Sequence, residues 1–220
     1  MAVLVRRWPA LLLVCVTAFS LAANAYLDRT PDALREQMVK RFGRDAATHL
    51  ADWQRAMQLA AAVASERQTL TTINALANRA EYLSDLQNWG LVDYWATPAE
   101  FVSKNAGDCE DYAIAKYYAL RTLGVAGDKL RLIYVRAFFQ GQLVPHMVLA
   151  WYAGPDAEPL LLDNIDPRLL PASQRPDLSP VFSFNDQGVW RAGVQRPAGE
   201  ERTASPWNQL QQRVKREMQM

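Results

Sequence analysis

The chain has 220 residues, half of them hydrophobic, with 24 Lys and Arg against 23 Asp and Glu. A near-neutral balance carries none of the basic footprint of a nucleic-acid binder, so nucleic acid is excluded as a partner. The length suits one domain with a substantial core, or two small lobes.

Residues 1–25 contain the three parts of a secretory signal peptide. Arg6 and Arg7 are the positive start, Ala10 to Ala22 is an apolar run broken only by Thr17 and Ser20, and Ala23-Asn24-Ala25 is a small-x-small cleavage site. A cleaved leader and a mature chain from near Tyr26 are expected, with an uncleaved anchor as the alternative. The apolar run is too short for a comfortable span. The expectation is an exported mature chain without stable membrane insertion. Cleavage removes two arginines and no acid, so 22 basic residues then face 23 acidic ones.

Residues 31 to 90 are poor in Gly and Pro and have helical composition. A first helix is expected after Thr30 or Asp32, with Pro31 in its first turn, Leu34, Met38 and Phe42 as its apolar stripe, and Gly43 as its stop. A second runs from Asp45 through Leu50, Trp53, Met57, Ala60 and Ala61. A third covers about Thr71 to Trp89 and ends at Gly90. The stretch from Asp93 to Phe101 reads as a loop with two aromatics, then a short helix capped by Thr97 before Pro98. The next helix starts at Asp108 or Cys109, turns Ala113, Ile114, Tyr117 and Leu120 inward, and ends at Leu123 with Gly124 as its cap.

Strands follow. Leu130 to Phe139 and Leu143 to Ala153 flank Gln140-Gly141-Gln142 as an antiparallel hairpin. Glu158 to Asp163 is a third strand, residues 171 to 180 a Pro- and Ser-rich loop, and Val181 to Phe184 with Gly188 to Ala192 a second hairpin. Trp207, Leu210, Val214 and Met218 lie at helical spacing. The expected fold is α+β, with an N-terminal helical lobe and a central helix packed on an antiparallel sheet. Residues 26–195 form the domain (26–100 mainly helical, 101–195 central helix and sheet), and 196–220 a tail with a short amphipathic helix.

Of the two cysteines, Cys15 lies in the leader, so Cys109 would be the only thiol of an exported chain and could close no internal disulfide. A free Cys is more often a small core hydrophobe. Its neighbours Gly107-Asp108 and Glu110-Asp111, however, are not those of an apolar core. A helix start lowers a thiol pKa and offers N–H donors to an oxyanion, here the Cys109 N–H. His146 is one of two histidines and shares a strand face with Val148 and Ala150; His49, in an alanine-rich helix, reads as structural. Asp163 ends an apolar strand that could pair beside His146, though it could also simply open the Asn164-Ile165-Asp166-Pro167 turn. Together Cys109, His146 and Asp163 make a candidate nucleophile, base and orienting acid. The acids Asp108, Glu110 and Asp111 oppose thiolate formation. Either they cap the helix, which their spacing slightly favours, or they bind a cation such as Ca²⁺.

Gly107-Asp108-Cys109-Glu110-Asp111-Tyr112-Ala113, Pro145-His146-Met147-Val148-Leu149 and Leu162-Asp163-Asn164, with Trp95 to Phe101, resemble the bacterial transglutaminase-like cysteine proteases of the periplasmic LapG type. The resemblance covers about residues 85 to 195, and the Cys-to-His and His-to-Asp intervals of 37 and 17 residues fit its ordering. It implies a transglutaminase-like, papain-like fold and a cysteine endopeptidase with Cys109, His146 and Asp163 as its triad. It also implies Ca²⁺ as cofactor, with Asp108 and Glu110 as ligands and Asp111 a weaker one, reversing the preference for capping. The implied substrate is a large cell-surface adhesin, cut near its N-terminal end to release biofilm. The implied inhibitory partner is the periplasmic domain of an inner-membrane cyclic-di-GMP receptor. Two alternatives stay open: a transglutaminase or amidase on the same triad, and a non-catalytic binding module presenting Trp95 and Trp151.

Overall fold

A computed structural model describes residues 30–63, 65–191 and 205–220. The leader at 1–25 and most of the stretch before the terminal helix lie outside these residues. Among these residues four helices precede the site: α1 (Asp32–Phe42), α2 (Asp45–Ala61), α3 (Glu66–Ala77) and α4 (Asp85–Trp89). Then come α5 (Pro98–Lys104) and the central α6 (Cys109–Thr122). Two short strands, β1 (Glu81–Tyr82) and β2 (Ala106–Gly107), pair in parallel. The main sheet contains β3 (Leu130–Phe139), β4 (Gln142–Trp151), β5 (Leu160–Leu162), β6 (Leu170–Pro171), β7 (Leu178–Asn185) and β8 (Gly188–Arg191). Its strand order is β6-β5-β4-β3-β7-β8, antiparallel throughout. Helix α7 (Ser205–Glu217) closes the described chain. No helix among the described residues is long and apolar enough to cross a membrane.

The expected third helix is corrected here. Ser65 caps α3, its hydroxyl accepting the Gln68 N–H, and the helix ends at Ala77 rather than continuing to Trp89. Asn78 then gives its side-chain amide to the Asp163 carbonyl at 2.7 Å, and the next residues extend to pair with Ala106 and Gly107. Ser84 and Gln87 form a capping box that restarts the chain as α4, and Gly90 ends it in the left-handed region at φ 70°. The expected short helix at Pro98 is present, with Thr97 and Glu100 as its capping box. Pro31 sits one residue before α1, at its N-cap.

Gln140 and Gly141 both have positive φ, 50° and 81°, and join Phe139 to Gln142 across a two-residue turn. The long register this sets aligns Tyr134 with Met147 and Val135 with His146. Strand alternation then divides the sheet. Leu130, Leu132, Met147, Leu149, Leu162 and Phe184 face the helices, while Val135, Val148, Ala150 and Leu161 form a smaller cluster on the outer face. The expected loop at 171–180 instead contains the last residue of β6, a 3₁₀ turn at Ala172–Gln174 and the start of β7.

Helix α6 is buried on nearly every side, between α3 and α5 above and β3 and β4 below. Ala113, Ala115 and Ala119 are fully enclosed, and their small side chains let backbones approach closely. One apolar core extends from Leu34 through the sheet to Val214, so the helices and the sheet share a single interior. Trp207 of α7 is fully buried against Tyr117, Tyr118 and Phe184, with ring centroids 5.5–6.1 Å apart, and its indole N–H donates to the Asn185 carbonyl.

Helix α7 also clamps the loop before α5. Arg213 donates to the Trp95 carbonyl, to the Tyr94 hydroxyl at 2.5 Å and to Glu100 at 3.2 Å, while Thr97 donates to Glu217 at 2.9 Å. Trp95 stacks on Phe184, and the Trp151 indole donates to Glu66. Both tryptophans therefore spend contact surface on internal packing, which weakens the binding-module reading.

Candidate active site

Strand β5 stops at Leu162, opposite Leu149, and leaves the edge of β4 open beyond that point. The start of α6 arrives at this gap. The Met147 backbone N–H faces the Cys109 sulfur, which places the thiol one residue along β4 from His146. Cys109 is partly buried and His146 is buried. His146 Nε2 lies 2.7 Å from Asp163 Oδ1, the N–H donating to the carboxylate. That contact commits Nε2 and leaves Nδ1 for other partners.

Asp163 is fully buried and held from three further directions. Its Oδ1 accepts the Ile165 N–H at 3.0 Å, its Oδ2 accepts Arg175 Nη2 at 2.7 Å, and its carbonyl accepts the Asn78 amide. Burial alone would raise its pKa. The hydrogen bonds and charge of His146, with those of Ile165 and Arg175, outweigh burial and hold the carboxyl well below its usual range. Asp163 thus does open the turn after β5, through Ile165, and binds the histidine as well. His49 Nδ1 lies 2.9 Å from the Ser103 carbonyl, tying α2 to α5 away from the thiol.

The acids beside the thiol do not behave as helix caps. Asp108 occupies the N-cap position of α6, yet its side chain makes no capping hydrogen bond. Ligand oxygens of Asp108 and Glu110 cluster with the Cys109 sulfur, those of Asp85, Asp108 and Asp111 with one another, and those of Asp85, Asp93 and Glu110 with one another, all within 4.8 Å. Asp85 Oδ2 accepts the Tyr94 N–H at 2.6 Å, and Asp111 Oδ1 accepts the Ala96 N–H at 2.7 Å. Asp85 Oδ1, Asp108 Oδ1 and Asp111 Oδ2 are buried without any partner. Three orphaned carboxylate oxygens in one patch match the hard oxygen donors that a divalent cation takes. Asp85 and Asp93 are not legible as candidates in the sequence, where one falls inside a helical pattern and the other in a loop.

Burial, then mutual repulsion, pushes these acids up: Asp108 to about 8, Glu110 and Asp111 upward, and Asp85 to about 6 despite the Tyr94 N–H. The thiol donates to Glu110 Oε2 at 3.1 Å, and burial followed by the Glu110 charge raises its pKa well above the ordinary value. The lowering expected from the helix start is therefore overridden while the acids stand uncompensated. Gly107 is obligatory here for space: a Cβ would lie 2.6 Å from Asp111 Oδ2 and 2.8 Å from the Phe101 ring.

A thiol at the head of a buried helix, set against an antiparallel sheet that presents a histidine–aspartate pair, defines a papain-like cysteine hydrolase. Comparison with known proteins narrows that class. Residues 39–190 match the bacterial transglutaminase-like cysteine proteinases, and the chain belongs to that family. It is 33% identical to Legionella pneumophila LapG, covering 83% of this chain. The EGTA-treated LapG structure superposes with a TM-score of 0.71 over 96% of its own chain, and the calcium-bound one with 0.69 over 98%. No curated protein sequence matches closely enough to count as a relative.

Proposed function

We propose that this cysteine protease is a Ca²⁺-dependent endopeptidase with Cys109 as nucleophile, His146 as general base and acid, and Asp163 as the group that orients His146. The observation that carries the reading is the approach of the thiol to the β4 edge, one residue from a histidine held at 2.7 Å by a buried carboxylate. With Nε2 committed, Nδ1 takes the thiol proton. The thiolate attacks the scissile carbonyl carbon, and the oxyanion accepts the Cys109 N–H at the positive end of α6. Collapse breaks the C–N bond, and His146 returns its proton to the leaving amine. His146 then deprotonates a water, which opens the thioester and frees the new carboxylate and the thiol.

Asp85, Asp93, Asp108, Glu110 and Asp111 would hold the cation, which supplies positive charge that compensates the acids and competes for the Glu110 carboxylate now accepting the thiol proton. The orphaned oxygens support this, as do the calcium-bound and EGTA-treated forms of the Legionella relative. The leader-like residues 1–25 support a periplasmic location. The motif resemblance supports a large surface adhesin as substrate and a cyclic-di-GMP receptor's periplasmic domain as inhibitory partner.

The test is adhesin cleavage by purified protein and adhesin retention on cells. Cys109→Ser should abolish cleavage and retain adhesin on the surface, and EGTA should stop the reaction until Ca²⁺, but not Mg²⁺, is returned. Full cleavage by Cys109→Ser would end the triad reading. Incorporation of a labelled amine into a Gln-containing acceptor would instead favour acyl transfer to amines.

A further inference from the structure

We propose that Arg175 is a positioning residue for the reaction: together with Asp177 it fixes Asp163 in place behind His146 while keeping the assembly's net charge negative. The inference rests on the triad reading above and extends it to two residues that no motif marks. Arg175 lies in the Ser173-Gln174-Arg175-Pro176-Asp177 stretch between β6 and β7 and is buried, with 4% of its surface exposed. Its backbone is set by the 3₁₀ turn, the Arg175 N–H donating to the Ala172 carbonyl and the Leu178 N–H to the Arg175 carbonyl.

One nitrogen of the guanidinium bridges two carboxylates. Nη2 lies 2.7 Å from Asp163 Oδ2 and 2.7 Å from Asp177 Oδ2, and Nε adds a 2.9 Å bond to Asp177 Oδ1. Arginine presents its donors in a rigid fork, so the paired contact with Asp177 fixes the plane of the guanidinium and the direction in which Nη2 meets Asp163. Asp163 cannot turn away from His146 without losing that bond, the Ile165 N–H, or both.

The charges explain why Asp177 belongs to the device. A buried carboxylate needs a cation to stay ionised, yet an uncompensated arginine would oppose the imidazolium that forms during catalysis. Asp177 offsets the arginine, so His146 faces a trio with one net negative charge. Lys116 approaches from α6, and Asp166 pairs with Arg168 in the turn after β5.

Alkylation of Cys109 by iodoacetamide, followed from pH 4 to 10 in Ca²⁺ buffer on the chain from Tyr26, reads the thiolate–imidazolium pair without a substrate. Arg175→Gln removes the charged bond to Asp163 Oδ2 and loosens the carboxylate behind His146, so the acid limb should move up by about one pH unit, a roughly tenfold lower rate at a fixed pH on that limb. Arg175→Lys restores the charge and should recover most of the shift. Asp177→Asn leaves the trio neutral, and the upper limb, where the imidazolium loses its proton, should move down. A merely structural residue would lower the melting temperature and move neither limb. The control is Asp163→Asn. If it alkylates like the parent across the range, the triad reading itself falls. If Asp163→Asn is impaired while folded Arg175→Gln keeps the parent's limbs, the Arg175 proposal alone is overturned. Should Arg175→Gln not fold, unmoved limbs in Asp177→Asn overturn it equally.

Discussion

Replacing Gly107 by Ala tests whether the acid cluster and the core are built against each other. The added methyl would sit 2.6 Å from Asp111 Oδ2, 2.7 Å from Asp111 Cβ and 2.8 Å from Phe101 Cδ2. A carboxylate oxygen can swing away; a Cβ on a buried helix cannot, and Phe101 is itself enclosed, with 1% of its surface exposed. Overpacking of this kind costs about 1–3 kcal/mol, and two immobile contacts put Gly107→Ala at the upper end, about 3 kcal/mol. For a chain of this size that lowers the melting temperature by about 6–12 °C. The displaced group is Asp111, whose free oxygen belongs to the proposed cation site, so the rise in melting temperature on adding Ca²⁺ should shrink as well. Thermal denaturation by circular dichroism, with EGTA and with Ca²⁺, measures both. Gly154→Ala, where nothing lies within 4 Å of the added methyl, is the neutral control. A Gly107→Ala protein that melts within about 1 °C of the parent and gains equally from Ca²⁺ would refute the reasoning.

Asp85→Asn removes a proposed ligand that no motif identifies, and isothermal titration should find Ca²⁺ affinity lower by about tenfold or more; unchanged affinity would remove Asp85 from the site. Lys116 is fully buried, and burial lowers its pKa to about 7. A lysine depressed in the fold destabilises it fully below about pH 7, and that cost fades as pH rises toward the unfolded value of about 10.4, at about 1.4 kcal/mol per unit. Lys116→Met should therefore be more stable than the parent to urea at pH 7, with an advantage that narrows by pH 9; an advantage constant with pH would contradict the burial account. Trp207→Ala empties a fully enclosed site among three aromatic rings and should cost about 3–5 kcal/mol in urea unfolding, whereas a loss below about 1 kcal/mol would mean that α7 is not part of the core.

What the sequence revealed and what it hid divide along the range of the interactions. The β3–β4 hairpin was legible because Gln140-Gly141 is a local turn between two β-branched and aromatic runs. Helix α6 was legible from its caps and spacing, and His146 and Asp163 from their isolation on apolar strands. The break between α3 and α4 was not. No Gly or Pro marks residues 78–83, and what bends the chain is distant: Asn78 reaching Asp163, and Glu81-Tyr82 pairing with Ala106-Gly107. Hiding that break also hid Asp85, whose carboxylate looked like one more solvated helix residue. Arg175 was lost in a Pro- and Ser-rich stretch for the same reason, since its partner Asp163 lies 12 residues upstream across a turn. The thiol's chemistry was half legible: the acids opposing it were visible, but their outweighing of the helix start required the burial that only the fold supplies.

The clamp from α7 also imposes an order in time. Trp95, whose carbonyl Arg213 holds, is synthesised 118 residues before that arginine. Until Arg213 and Glu217 have been made, the loop carrying Asp93 and the Ala96 N–H is held by Asp85, Asp111 and the Trp95–Phe184 stack but lacks the bonds that α7 adds at Tyr94, Trp95, Thr97 and Glu100. A nascent or clipped chain ending before α7 would therefore possess Cys109, His146 and Asp163 and all five acids of the proposed cation site, yet lack the clamp that backs the loop carrying Asp93.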